Sequence, residues 1–187
     1  PEGQPMTKVI WRDMETEELG SVYESLLELT PQLDMAARDF TFAEGDVTRG
    51  NARKVSGSYY TPDSLVKLLL DNTLDPVLDQ AEARNPEDPV SEILKLSIID
   101  PACGSGHFLL GAARRAASRI ARHRMPGALS KEAFQHALRE VVSRCIYGVD
   151  RNPMAIELCK VVLWIEALEP GKPLTFLDSQ RQVGDSL

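Results

Sequence analysis

The sequence predicts an α/β protein in which parallel strands are flanked by helices, preceded by a helical N-terminal extension. Two observations carry this. From Leu94 onward, apolar strand-like runs alternate with longer segments of helical period. Strand–helix–strand order of this kind lays strands side by side in parallel, because each helix returns the chain to the starting edge. The second observation is the stretch "LSIIDPACGSGHFLLGAARRAA" (Leu96–Ala117), where an apolar run meets Asp100, then a small-residue turn with two glycines, then a helix-forming sequence.

The elements follow in order. In "TEELGSVYESLLEL" (Thr16–Leu29), Leu19, Val22, Tyr23, Leu26, Leu27 and Leu29 recur near helical spacing, with acidic residues outside them. This predicts an amphipathic helix. "DMAARDFTFAEGD" has room for a short strand. "VTRGNARKVSGSYYTP" (Val47–Pro62) is polar and locally basic through Arg49, Arg53 and Lys54, and reads as a loop, with Val47–Ser58 mobile. Pro62 fits the first turn of a helix with Thr61 as its N-cap, and Pro76 is placed to break or kink that helix. "EARNPEDPV" is a charged connection, and "LKLSIID" is the first central strand.

After the glycine turn, Phe108, Leu109, Ala112, Ala113, Ala116, Ile120 and Ala121 form the apolar face of a helix. Arg114, Arg115, Arg119 and Arg122 lie largely off that face. They read as a solvated surface, with a phosphate-facing patch as the alternative. "SKEAFQHALREVVSR" is a helix capped by Ser130, and "CIYGVD" (Cys145–Asp150) is a buried strand. "NPMAIELCKVVLWIEAL" is a helix capped by Asn152 with Pro153 at its first position. It has so few charges that it should be largely buried. "LTFLD" and "RQVGDSL" are short strand candidates.

Composition limits the function classes. The chain has 187 residues and 43% hydrophobic content, enough for one domain with a proper core. Its net charge is −7, whereas a self-sufficient nucleic-acid binder is usually basic. Any DNA contact is therefore local or made by another part of the protein. The three cysteines, Cys103, Cys145 and Cys159, cannot all pair, and no two have metal-ligand spacing. They read as reduced core residues of a cytoplasmic protein, and no metal is expected. No run approaches about 18 uninterrupted apolar residues, so no membrane span is expected. The chain opens on Pro1 without a methionine and stops after "QVGDSL", so both ends read as cuts in a longer protein.

In a parallel sheet flanked by helices, ligands bind beyond the carboxyl ends of the strands. Three carboxylates fall there: Asp100, Asp150 and Asp185. Gly104 and Gly106 allow a tight turn and close approach of a ligand. The helix after them offers free N–H groups to an anion. Asp100 can accept from an ammonium, Asp150 from two ribose hydroxyls and Asp185 from an exocyclic adenine amine. A ligand with all these groups is S-adenosylmethionine. A dinucleotide is disfavoured: Leu109 stands where its fingerprint needs a third glycine, and Asp150 lies well beyond the acidic position about 20 residues on. Asp100, directly before the turn, would also repel a pyrophosphate.

"DPACGSGHFLLGA" closely resembles the first S-adenosylmethionine motif of DNA adenine-N6 methyltransferases, above all those of the Type I and Type IIG restriction-modification and phage-defence branch. "GSYYTP" (Gly57–Pro62) is similar to the motif that precedes it, "YGVDRNPMAIELCKVVLWI" to the second motif and "VGDSL" to the third. "LGSVYESLLEL" resembles the helix leading into this domain, so the likeness covers most of Gly20–Leu187. The resemblance implies a partial Rossmann-like class I methyltransferase sheet over residues 57–187, after a helical extension and basic loop over 1–56. Tyr60, Thr61 and Pro62 would close over the methionine end. Asp100, Pro101 and the turn Ala102, Cys103, Gly104, Ser105, Gly106 would hold its amine and carboxylate. Asp150 would hold the ribose, and Asp185 with Ser186 would orient the adenine.

Cys103 reads as a turn residue rather than a nucleophile, because methyl transfer to an amine needs no thiolate. His107 reads as a local polar residue rather than a base, and Phe108 as core. The family's catalytic Asn-Pro-Pro-aromatic motif is absent from these residues: Asn85-Pro86 and Asn152-Pro153 lack the second proline. The chain therefore reads as the cofactor-binding portion of an enzyme acting on double-stranded DNA, with a specificity or nuclease partner, and inactive alone. Two alternatives stand: a methyltransferase acting on protein glutamine or RNA, and a non-catalytic scaffold subunit.

Overall fold

The computed structural model describes residues 18, 20, 22, 29–35, 38–44, 61–127, 130–173 and 177–186. The expectations for most of the helix over Thr16–Leu29, for Val47–Ser58, for Tyr60 and for Leu174–Phe176 lie outside the described residues.

Glu18, Gly20 and Val22 are helical, as the periodicity predicts. The extension is not wholly helical, however. Strand β1 (Leu29–Asp34) already begins at Leu29 and pairs antiparallel with β2 (Asp39–Glu44), the strand anticipated in this region. Arg38, at a φ of 54°, helps close the hairpin.

Helix α1 (Asp63–Arg84) starts one residue later than predicted, with Pro62 rather than Thr61 at the cap and no side-chain capping bond. Pro76 does not break it. The missing rung is outweighed by a continuous buried face of Val66, Leu70, Leu74, Leu78 and Ala81. The connection after it holds a short helix, α2 (Pro89–Ile93), whose cap Asp88 accepts from Ser91 N–H at 3.1 Å.

The parallel sheet has the order β3 (Ile98–Asp100), β4 (Ile146–Asp150), β5 (Arg181–Val183), with Asp100 opposite Gly148 and Asp150 opposite Val183. Helices α3 (His107–Arg124) and α4 (Lys131–Arg144) connect β3 to β4. Helix α5 (Pro153–Glu166) and the turn α6 (Leu177–Gln180) connect β4 to β5. The "LTFLD" strand is thus corrected: its described part, Leu177 and Asp178, is helical, and β5 starts at Arg181. The predicted caps hold. Ser130 accepts from Ala133 N–H at 3.0 Å and Asn152 from Met154 N–H at 3.0 Å, with Pro153 opening α5.

Helix α3 is the centre of the molecule. Its buried face is Leu109, Leu110, Ala112, Ala113, Ala116, Ala117, Ile120 and Ala121, and the small residues let α1, α2 and α4 crowd around it. At Gly111 a Cβ would lie 2.9 Å from Leu70 Cδ1, so the glycine sets how closely α1 and α3 approach. Of the four arginines, Arg122 is exposed as the solvated reading expects, whereas Arg114, Arg115 and Arg119 are tied to neighbouring helices. Arg115 pairs with Asp71 and Asp75, and Arg119 with Asp75, Asp79 and Glu82, all on α1. Arg114 pairs with Glu166.

Helix α5 is only half buried, contrary to expectation. Ala155, Ile156, Cys159, Val162 and Leu163 face the core, while Met154, Val161, Trp164 and Ile165 are exposed. One sheet face is open too: side chains alternate along a strand, and Ile99, opposite Tyr147, is 64% exposed.

Candidate functional site

The turn between β3 and α3 is held by backbone hydrogen bonds that its carboxylates receive. Asp100 Oδ1 accepts from Ala102 N–H at 3.0 Å, a local Asp turn that redirects the chain as it leaves the strand. Gly106 N–H donates to Cys103 O at 2.8 Å, closing the turn, and Leu110 N–H then donates to Gly106 O as α3 begins. Gly104 and Gly106 take φ values of +53° and +91°, which L side chains rarely adopt. A Cβ at Gly104 would meet nothing within 4 Å, whereas at Gly106 it would lie 2.6 Å from Cys159 Sγ. One glycine therefore opens toward space and the other is pressed against α5.

The second carboxylate is tied to the first turn across 46 residues of sequence. Asp150 Oδ2 accepts from Gly104 N–H at 2.8 Å and Oδ1 from Asn152 N–H at 2.8 Å. Cys103 N–H donates to Val149 O at 2.9 Å beside them. A carboxylate has about four lone-pair positions, so two remain for a ligand. Burial raises the Asp100 carboxyl above its ordinary value; the Ala102 N–H works against this and the nearby Asp150 charge adds to it. Two neighbouring carboxylates at the head of a helix favour a ligand that brings positive charge.

The structure brings the third segment to the same place. Ser186 Oγ donates to Pro101 O at 2.8 Å, and Gly184 N–H to Asp150 O at 3.0 Å. Asp185 is exposed, with Arg151 Nε 3.6 Å from its carboxylate. Thr61 is half-buried and Pro62 exposed. They connect to the turn through the next residue, since Asp63 Oδ1 lies 2.7 Å from His107 Nε2. Gly20 of the N-terminal extension is buried against Ser105, so this extension also borders the turn.

Cys103 faces inward and is 5% exposed. Its thiol donates to Gly104 O at 3.8 Å, and the neighbouring Cys159 together with burial pushes the thiol up; only the Cys103 backbone can face a ligand. Two features escaped the sequence reading. His107 is a bridge rather than an isolated polar residue. Arg181 is 1% exposed beneath the site, donating to Gln180 Oε1 at 2.7 Å and Val142 O at 3.1 Å, with burial lowering its guanidinium to about 10. An arginine alternating with Gln182 in a three-residue strand carries no sequence signal of burial.

The chain is similar in sequence to several known proteins. The chain is 31% identical over 143 residues to the adenine-specific methyltransferase PglX of Streptomyces coelicolor, covering 73% of this chain and 10% of that protein. It is 24% identical over 191 residues to a Methanocaldococcus jannaschii protein whose name joins a type II restriction enzyme and a methyltransferase (81% of this chain, 14% of that one). It is 29% identical over 136 residues to the type I restriction enzyme MjaIX methylase subunit of the same organism (73% and 18%). The chain thus spans between a tenth and a fifth of the length of these relatives. The profile described as N-6 DNA Methylase matches residues 46–175, which include β3, β4, the glycine turn and both central carboxylates. On that match, the chain belongs to the N-6 DNA methylase family.

Proposed function

We propose that these residues form the S-adenosylmethionine-binding portion of an enzyme that methylates N6 of adenine in double-stranded DNA, in restriction-modification or phage defence. The observation that carries the reading is the junction where Asp150 accepts from Gly104 N–H while Asp100 stands beside it at the neighbouring strand end.

The residues present fit the cofactor. Asp100 has an oxygen left to accept from its ammonium group. The first N–H groups of α3, unsatisfied within the helix, suit its carboxylate. The spare lone pairs of Asp150 suit a ribose diol, and exposed Asp185 suits the adenine amine. Thr61 and Pro62 bound the methionine end. When bound, S-adenosylmethionine supplies an electrophilic methyl group. The chain's own residues hold and orient; they contain no Asn-Pro-Pro-aromatic motif to grip a target base. The same reading makes β3–β4–β5 part of a Rossmann-like class I methyltransferase sheet, with residues 1–56 an N-terminal extension. Among the described residues no strand pairs with the outer edge of β3, and Ile99 faces outward; both support further elements there, because parallel sheets bury both faces.

The reading also proposes a specificity or nuclease partner, and a cytoplasmic location; among the described residues no helix is long and apolar enough to cross a membrane. The test is to incubate the full gene product with double-stranded DNA and methyl-labelled S-adenosylmethionine, then digest to nucleosides. Label in N6-methyladenine is the expected result. Label confined to RNA or protein added as competitor would replace DNA as the substrate.

A further inference from the structure

The contact between Asp63 and His107 joins the two segments that the cofactor reading places on opposite sides of the methionine end. Asp63 is the first residue of α1, directly after Thr61-Pro62. His107 is the first residue of α3, directly after Gly106. Their side chains meet at 2.7 Å across 44 residues of sequence. Helices α1 and α3 run parallel, and the ion pairs of Asp71 with Arg115 and Asp79 with Arg119 continue the same alignment further along. Gly111 against Leu70 sets the spacing of the helix bodies. The Asp63–His107 bond is the rung that sets the spacing of the helix heads.

Its exposure separates it from an ordinary stabilising contact. The His107 side chain is 14% exposed and that of Asp63 is 60% exposed. A bridge with one partner so open to water adds little to global stability. Its mechanical leverage is local: Pro62 O accepts from Leu65 and Val66 N–H, so the Thr61-Pro62 segment is fixed to the α1 head that Asp63 anchors. Displacing that head moves Thr61 and Pro62 relative to Gly104 and Gly106.

We propose that Asp63 and His107 are positioning residues that hold the Thr61–Pro62 segment at the correct distance from the glycine turn for cofactor binding. This rests on the cofactor reading above. The test compares Asp63→Ala, His107→Ala, the double variant and Asp63→Asn in the full-length protein, by titration with S-adenosylmethionine and by methylation kinetics. Each alanine variant should weaken cofactor binding about five- to tenfold, the effect of losing one hydrogen bond. The double variant should be no worse than either single, and Asp63→Asn, which keeps an acceptor, should restore most of the affinity. The KM for DNA and the melting temperature should stay near wild type. Unchanged cofactor affinity in both alanine variants, or single effects that multiply in the double, would overturn the proposal. A wild-type protein that binds no cofactor would overturn the underlying reading first, and is distinguishable because no variant is needed to see it.

Discussion

Replacing Gly106 by alanine should be far more damaging than replacing Gly104, although both lie in the same turn with positive φ. At either position an L residue in left-handed backbone costs about 1–2 kcal/mol. At Gly104 that is the whole cost, because the added Cβ meets nothing within 4 Å. At Gly106 the Cβ would stand 2.6 Å from Cys159 Sγ, 3.4 Å from its Cβ and 3.5 Å from its Cα. Cys159 is fully buried on α5 and cannot swing aside. Overpacking of this kind costs about 1–3 kcal/mol, giving about 2–5 kcal/mol in total. Urea unfolding monitored by circular dichroism measures both variants, with extrapolation to water. The Cys159→Ala background isolates the steric part: there Gly106→Ala should fall to about the Gly104→Ala cost of 1–2 kcal/mol. Equal costs for the two glycine variants in the wild-type background would refute the claim that the turn is pressed against α5.

Asp100→Asn should stabilise the cofactor-free protein at neutral pH. The Asp100 carboxyl is raised in the folded state, so its contribution is present below the unfolded value of 3.8 and is lost as pH rises through the folded value. Urea midpoints across pH 3 to 8 should show that slope in wild type and not in Asp100→Asn. The three cysteines are buried, and burial raises the Cys145 thiol to about 11; all should react with a maleimide at neutral pH only when the protein unfolds, and rapid native labelling of Cys103 would contradict its inward placement. Double replacement Arg115→Ala and Arg119→Ala should cost about 1–2 kcal/mol at low salt and less at 1 M NaCl, because partly exposed pairs are screened. A cost that does not change with salt would mean the arginine stems, not their charges, matter.

Local signals were legible because their causes are local. The glycine turn, the Ser130 cap and the Asn152-Pro153 helix start each depend on a few adjacent residues, and each stands where the pattern put it. The parallel pairing of the strands also followed from the alternation of strand and helix. The misses involve partners distant in sequence. Arginines off an apolar face look solvated until α1 lays its acidic residues against them some 40 residues away. The low charge of α5 reads as burial, but low charge does not say how many faces are covered; Trp164 and Ile165 remain exposed. Pro76 reads as a breaker because its local cost is visible and the buried face that outweighs it is not. The site divides in the same way. Asp100, Asp150 and the glycines carry a pattern, while the Asp63–His107 bridge and buried Arg181 depend on a tertiary arrangement no pattern encodes.

The most direct test of the account is calorimetric titration of S-adenosylmethionine into the wild-type protein and into Asp100→Asn. This variant removes the charge proposed to meet the ammonium group while leaving the fold at least as stable, so lost binding cannot be ascribed to unfolding. The account predicts saturable one-site binding to wild type, weakened at least about tenfold in Asp100→Asn, in line with the loss of a charge-assisted hydrogen bond. No binding to wild type, or equal binding to both, would contradict the placement of the cofactor at the end of β3.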